Sequence, residues 1–148
     1  MNTQEITAIL KKKCRRQFVG TFAYDRLPKV LPPRRPLLLV CNTDIQSKPG
    51  RHWITMTLNA DGSGEFFDSL NEPVIPARFV AYLDKHCSKS WTRNERQIQG
   101  IISRFCGNYV IFYCMFKYLG YSMREIESLF CSDTSFNDAL VHGLTCRR

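Results

Sequence analysis

The sequence predicts an α+β fold in which a small sheet packs around one buried helix. Three observations carry this. The segment Asn108 to Leu119 is apolar nearly all round, so no face of that helix suits water. Two stretches before it, Leu37 to Asn42 and His52 to Ser69, read as short strands bounded by turn signals. The order of elements (a helix, then strands, then helices) segregates the two kinds of structure along the chain.

Each element has a local reason. Asn2 followed by Glu5 reads as a capping box, and Ile6, Ile9, Leu10 and Lys13 recur at helical spacing, predicting a helix from about Thr3 to Arg16. Phe18 to Phe22 then leads into a proline-rich connector, Pro28 to Pro36, which fits neither helix nor central strand. Leu37 to Asn42 is a short apolar run, a buried strand, and Ser47 to Gly50 is a turn. His52 to Asn59 and Glu65 to Ser69 form a hairpin around Asp61-Gly62. Pro76 opens a helix that carries Phe79, Val80 and Leu83 and ends near His86. Trp91 to Gln99 reads as a strand polar enough for a sheet edge. Gly120 stops the central helix, where chains commonly turn left-handed. Ser122 with Glu125 is a second capping box, for a helix to about Phe130, and Asp133 to His142 is a last short helix ended by Gly143. No repeats, low-complexity tracts or domain boundaries interrupt the chain, which reads as one domain over residues 1–148.

A chain of 148 residues can bury a real core, and 44% hydrophobic with 12% aromatic residues argues against disorder. No run approaches the roughly 18 apolar residues of a membrane span, and Met1 to Gly20 shows no secretory signal. The expectation is an intracellular or particle-packaged protein that is neither secreted nor membrane-bound. Seven cysteines, an odd number without a CxxC pair, read as reduced thiols and not as a zinc site or any other metal site. The 21 basic against 13 acidic residues give +8, which favours polyanion partners. The basic clusters are Lys11 to Lys13 with Arg15 and Arg16, then Arg34-Arg35, then Arg147-Arg148. They read equally well as solvated surface, and no nucleic-acid-binding motif accompanies them.

The chemistry centres on Cys106 and Gly107 at the entry to the apolar helix. A thiol in the first turn feels the positive end of the helix dipole, which favours thiolate, and the adjacent glycine leaves room for a substrate backbone. A cysteine nucleophile needs a base, a group to orient the base, and donors for an oxyanion. His52 starts one hairpin strand and Asp68 ends the other, so closure at residues 60 to 64 sets them side by side. Gln99, seven residues before Cys106, carries a carboxamide that can donate to an oxyanion together with the Cys106 backbone N–H. Each residue has a plainer reading: a structural histidine, a turn aspartate, an incidental glutamine, a small hydrophobic cysteine. Cys114, inside the helix, takes that last reading. His86-Cys87 is a rival pair, although neighbours on a helix point apart. The ordered set is what distinguishes His52, Asp68, Gln99 and Cys106.

Several blocks together resemble a known family: Phe18-Val19-Gly20-Thr21-Phe22, Leu27-Pro28, Asn42-Thr43, Gly50-Arg51-His52-Trp53, Phe66-Phe67-Asp68, and Gln99-Gly100 with Ser103 and Cys106-Gly107. From about residue 4 to residue 120 the chain is similar to the adenovirus-type (adenain-like) cysteine proteases, including relatives in DNA transposons of the Polinton/Maverick kind. A broader, weaker likeness runs to the SUMO-deconjugating Ulp-type proteases, which share the order His, acid, Gln, Cys. The resemblance implies a cysteine-protease fold with a small central mixed sheet around the nucleophile-bearing helix. It implies His52 as general base and acid, Cys106 as nucleophile, Asp68 as third triad member, and Gln99 with the Cys106 amide as oxyanion hole. Trp53 would pack by the triad and exclude water, with Gly107 supporting. Adenovirus enzymes carry glutamate where Asp68 stands, and this sequence lacks much of their C-terminal portion.

The same resemblance implies a monomeric thiol endopeptidase acting on protein substrates, namely capsid or other structural precursors, and cleaving at Gly-containing sites. No cofactor is needed for the chemistry. Stimulation by DNA and by an activating peptide is implied, with Cys87, twelve residues before Gln99, as the candidate activator-peptide cysteine. The implied location is the host nucleus or cytoplasm and a virion or capsid-like particle. Two alternatives stand beside it: a deconjugating protease for ubiquitin-like modifiers, and an inactive basic nucleic-acid-binding particle protein.

Overall fold

A computed structural model describes residues 1–146; the Arg147-Arg148 cluster lies outside the described residues. Helix α1 spans Thr3–Cys14, with the expected capping box formed between Asn2 and Glu5. A short 3-10 turn, Arg15–Gln17, follows it and replaces the last residues of the predicted helix. The strands are β1 (Phe18–Phe22), β2 (Leu37–Asn42), β3 (Trp53–Leu58), β4 (Gly64–Phe67) and β5 (Trp91–Arg93). Helix α2 (Ala77–His86) separates β4 from β5, and α3 (Cys106–Tyr118), α4 (Met123–Glu127) and α5 (Thr134–Thr145) complete the chain. Among the described residues no helix is long and apolar enough to cross a membrane.

The sheet has the order β1-β2-β3-β4-β5 and is mixed. Its inner pairs, β2 with β3 and β3 with β4, are antiparallel, while β1 and β5 join as parallel edges. Helices cover both faces, so every residue of β2 and β3 is buried. On one face Leu38 and Val40 pack with Ile6 and Leu10 of α1 and with Val110 and Ile111 of α3. On the other, Leu37, Leu39, Ile54 and Met56 pack with Phe79 and Leu83 of α2. The opposite side of α3 meets α4 and α5 through Tyr109, Phe112, Ile126, Phe130 and Val141. With neighbours on both sides, α3 is apolar all round, and Gly107 to Cys114 are all buried. The α+β class and the central buried helix are as expected.

Four elements depart from the sequence expectation. Phe18 to Phe22, read only as a lead into the prolines, is a strand, parallel to β2 and with Phe18 beside Leu38. The strand expected over Trp91 to Gln99 ends at Arg93, because the Asn94 side chain turns the chain into contact with Asp68. Helix α4 ends at Glu127 instead of near Phe130. Gly143 sits inside α5, which runs on to Thr145, so it does not end that helix. Gly120, at φ +97°, does adopt the left-handed conformation expected after α3.

Candidate active site

The hairpin fixes the first two groups. Thr55 pairs with Phe67, so His52 immediately precedes the paired part of β3 and Asp68 immediately follows β4. His52 Nε2 lies 2.5 Å from Asp68 Oδ1, with both residues buried. The backbone N–H of Leu70 donates to the same oxygen at 2.9 Å and that of Glu72 to Oδ2 at 2.9 Å. Burial alone would raise the Asp68 carboxyl, but the His52 bond and charge and these two amides outweigh it and hold it below the usual range. Asn94, itself buried, grips the main chain on both sides of Asp68. The N–H of Asp68 donates to Asn94 Oδ1 at 2.9 Å, and Asn94 Nδ2 donates to the Asp68 carbonyl at 2.7 Å.

Cys106 is the first residue of α3, where backbone N–H groups lack intrahelical partners. Burial would raise its thiol, but the His52 ring and the backbone N–H groups of Trp53 and Gly107 beside it bring it below the ordinary 9.0. For His52, burial opposes the charged ring, yet the bonds and charges of Asp68 and Cys106 raise it to about 9. With Nε2 taken by Asp68, Nδ1 is left for the thiol. The two shifts together favour a thiolate–imidazolium pair at neutral pH. Other thiols move the opposite way: burial pushes Cys14 up to about 12 and raises Cys41 and Cys114 as well. Cys114 is therefore the small buried hydrophobe that its place in the helix predicts.

His52, Asp68, Gln99 and Cys106 all line one cleft of about 790 Å³. Gln99 reaches it from the loop before α3, fixed by its neighbours. The Ser69 hydroxyl donates to Gln99 Oε1 at 2.6 Å, and Gln99 Nε2 donates to the Ser103 carbonyl at 3.0 Å. The Ser69 carbonyl accepts the N–H groups of both Ile98 and Gln99 at 3.0 Å. Trp53 is buried in the apolar cluster that Cys106 packs against, and its indole N–H points at the Met1 carbonyl, 3.4 Å away. Among the described residues no group of three or more His, Cys, Asp or Glu side chains is arranged to hold a metal.

Two other candidate residues, Gly107 and Cys87, do not line the cleft. Gly107 is buried and does not face the cleft; a Cβ there would lie 3.0 Å from Met1 Cβ and 3.6 Å from Ile6 Cδ1. Its missing side chain admits the start of α1, not a substrate backbone. Cys87 follows α2, and its Sγ lies against Gly64 at the start of β4, the opposite end of the hairpin from His52 and Asp68. Half-buried, with its thiol raised by burial, it stands apart from the cleft. Sequence reasoning does not single out Ser69 or Asn94. Ser69 directly follows Asp68, but only the folded loop shows what its hydroxyl meets.

No family model matches the sequence. No curated protein matches it either. Solved structures do resemble the fold. The ASFV pS273R protease aligns at 20% identity with a TM-score of 0.59, covering 79% of this chain and 46% of that one. The chain thus spans less than half the length of that protease. The central domain of an uncharacterized protein from Legionella pneumophila aligns at 12% identity with a TM-score of 0.56, over 98% of this chain and 94% of that domain. SUMO protease Ulp1 aligns more loosely, at 13% identity and a TM-score of 0.49, over 99% of this chain and 79% of that one. The fold, with Cys106 at the start of its central helix, is similar to that of part of the ASFV pS273R protease.

Proposed function

We propose that the chain is a cysteine endopeptidase of the adenovirus type, with Cys106, His52 and Asp68 as its triad. One observation carries this reading: Cys106, at a helix N-terminus, and His52 line one cleft, with the thiol lowered, the imidazole raised to about 9, and Asp68 bonded to Nε2 of that ring. The Cys106 thiolate adds to the scissile carbonyl carbon, and the carbonyl electron pair moves to oxygen. Gln99 Nε2 and the Cys106 N–H stabilise that oxyanion. Collapse breaks the C–N bond as His52 protonates the leaving amine, leaving a thioester. His52 then takes a proton from water, whose oxygen adds to the thioester carbonyl, and the released acid regenerates the thiolate. The substrates in this reading are structural precursor proteins cut at Gly-containing sites, as the sequence resemblance implies.

DNA stimulation belongs to the same reading. Lys11 to Lys13 crowd the last turn of α1, Arg15 and Arg16 follow, and Arg34 Nε donates to the Arg16 carbonyl at 2.7 Å, joining two basic clusters into one surface. Activation through Cys87 has weaker support, since burial raises that thiol and slows disulfide exchange. The test is labelling by an electrophilic peptide ending in Gly-Gly, read by mass spectrometry, with Cys106→Ala and His52→Ala as controls. Selective labelling at Cys106 that requires His52 is expected. Equal labelling of all seven thiols, with and without DNA, would overturn the proposal. Conjugates of full-length ubiquitin-like modifiers, tested beside short precursor peptides, distinguish an endopeptidase from a deconjugase.

A further inference from the structure

The Gln99 carboxamide is buried, and its orientation decides whether it offers an N–H or a carbonyl oxygen to the cleft. The Ser103 carbonyl can only accept, so the Gln99 atom 3.0 Å from it is nitrogen. The opposite atom, Oε1, is then an acceptor, and the Ser69 hydroxyl 2.6 Å away must donate to it. Nε2 carries two N–H groups; Ser103 takes one, which leaves one for a cleft oxygen. Ser69 also holds the Gln99 main chain through its own carbonyl. It follows Asp68 directly, so two consecutive residues hold the two halves of the machinery. Asp68 orients His52 from one side of the chain, and Ser69 orients Gln99 from the other.

We propose that Ser69 is a positioning residue that locks the Gln99 carboxamide with Nε2 toward the cleft and, by donating to Oε1, strengthens that N–H as an oxyanion donor. This rests on the endopeptidase reading above. Without the hydroxyl, Oε1 is a buried acceptor lacking its partner, and the amide can rotate toward other donors. A hydrogen bond at Oε1 also polarises the amide, so the remaining N–H donates more strongly.

The test separates reactions that build an oxyanion from one that does not. A peptide aldehyde ending in Gly-Gly adds to the Cys106 thiolate, and its carbonyl oxygen becomes the oxyanion. Iodoacetamide alkylates the same thiolate by displacing iodide and forms none. Ser69→Ala is expected to lower kcat and aldehyde affinity together by roughly tenfold to a hundredfold, part of the ~10² to 10³ that loss of a whole oxyanion donor costs. Iodoacetamide alkylation of Cys106 should stay within about twofold, because the thiolate and His52 are untouched. In a Gln99→Ala background the Ser69→Ala change should add nothing further. Ser69→Thr, which keeps the hydroxyl, should retain aldehyde affinity, and this variant carries the test if Ser69→Ala does not fold.

Equal losses in aldehyde affinity and alkylation, additive losses with Gln99→Ala, or a folded Ser69→Thr that loses aldehyde binding would each overturn the inference. Failure of the underlying reading looks different: the parent protein would show neither aldehyde binding nor preferential alkylation at Cys106.

Discussion

Replacing Asp68 with asparagine keeps the shape of the His52 partner and removes its charge. In the parent protein His52 loses its proton near about 9, against an ordinary 6.5. At about 1.36 kcal/mol per pH unit, that difference corresponds to about 3 kcal/mol in favour of the charged ring. His52 is only 7% exposed, so solvent screening removes little of it. Burial works against the charged ring and persists in the variant, so with the carboxylate gone and only Cys106 left to raise it, His52 should titrate well below about 9. Cys106 then has a weaker imidazolium partner and its thiol rises, with kcat falling by roughly 10² to 10⁴.

The chain has only three histidines, so ring NMR signals followed across pH give a direct readout. His86 is held below its ordinary value by burial and by the charges of Lys85 and Arg35, which keeps its titration clear of His52. Stability supplies a second measurement. The folded protein binds the His52 proton more tightly than the unfolded chain, so this contribution is full below about pH 6.5 and is lost as pH rises through about 9. The lowered Cys106 thiol contributes with the opposite sign and offsets this loss in the parent. The window is therefore read in a Cys106→Ala background, where unfolding free energy should fall as pH rises and Asp68→Asn should flatten that fall. A parent His52 that titrates near 6.5, or one that Asp68→Asn leaves unmoved, would refute the reasoning.

The packing makes two further outcomes testable. Lys117 Nζ lies 2.8 Å from Glu65 Oε1, while Tyr113 donates to Oε2 at 2.5 Å and Asn59 to Oε1 at 3.1 Å, tying α3 to β4. Lys117→Met leaves the Glu65 carboxylate without its countercharge, held only by those two donors, and should cost about 1 to 3 kcal/mol, read as a fall in Tm of roughly 2 to 10 °C; an unchanged Tm would show that the tie is dispensable. Gly107→Ala gains roughly 1 kcal/mol of helix propensity and must displace Met1, which is 3.0 Å from the new Cβ and 42% exposed. Stability should therefore change by no more than about 1 kcal/mol, and KM for a peptide by no more than about twofold. A large rise in KM at unchanged Tm would mean that this glycine faces substrate after all.

Much of the fold was determined by local sequence. The two capping boxes, the glycine after α3 and the hairpin around Asp61-Gly62 depend on neighbours a few residues apart, and each formed where local chemistry places it. The apolar circumference of residues 108 to 119 was enough to predict a buried helix, because no solvent-facing stripe is present. The hairpin also brought His52 to Asp68 without long-range information. What the tertiary structure alone decided are contacts between distant segments. β1 is a strand only because β2 lies parallel to it across the proline-rich connector. Helix α5 passes through Gly143 because packing against α3 outweighs a weak local stop signal. Gly107 meets Met1, and Cys87 meets Gly64, through contacts spanning many residues. Ser69 with Gln99, and Asn94 with Asp68, are polar pairs separated by 30 and 26 residues. No periodicity marks such pairs, since each side chain finds its partner only once the chain around it has closed.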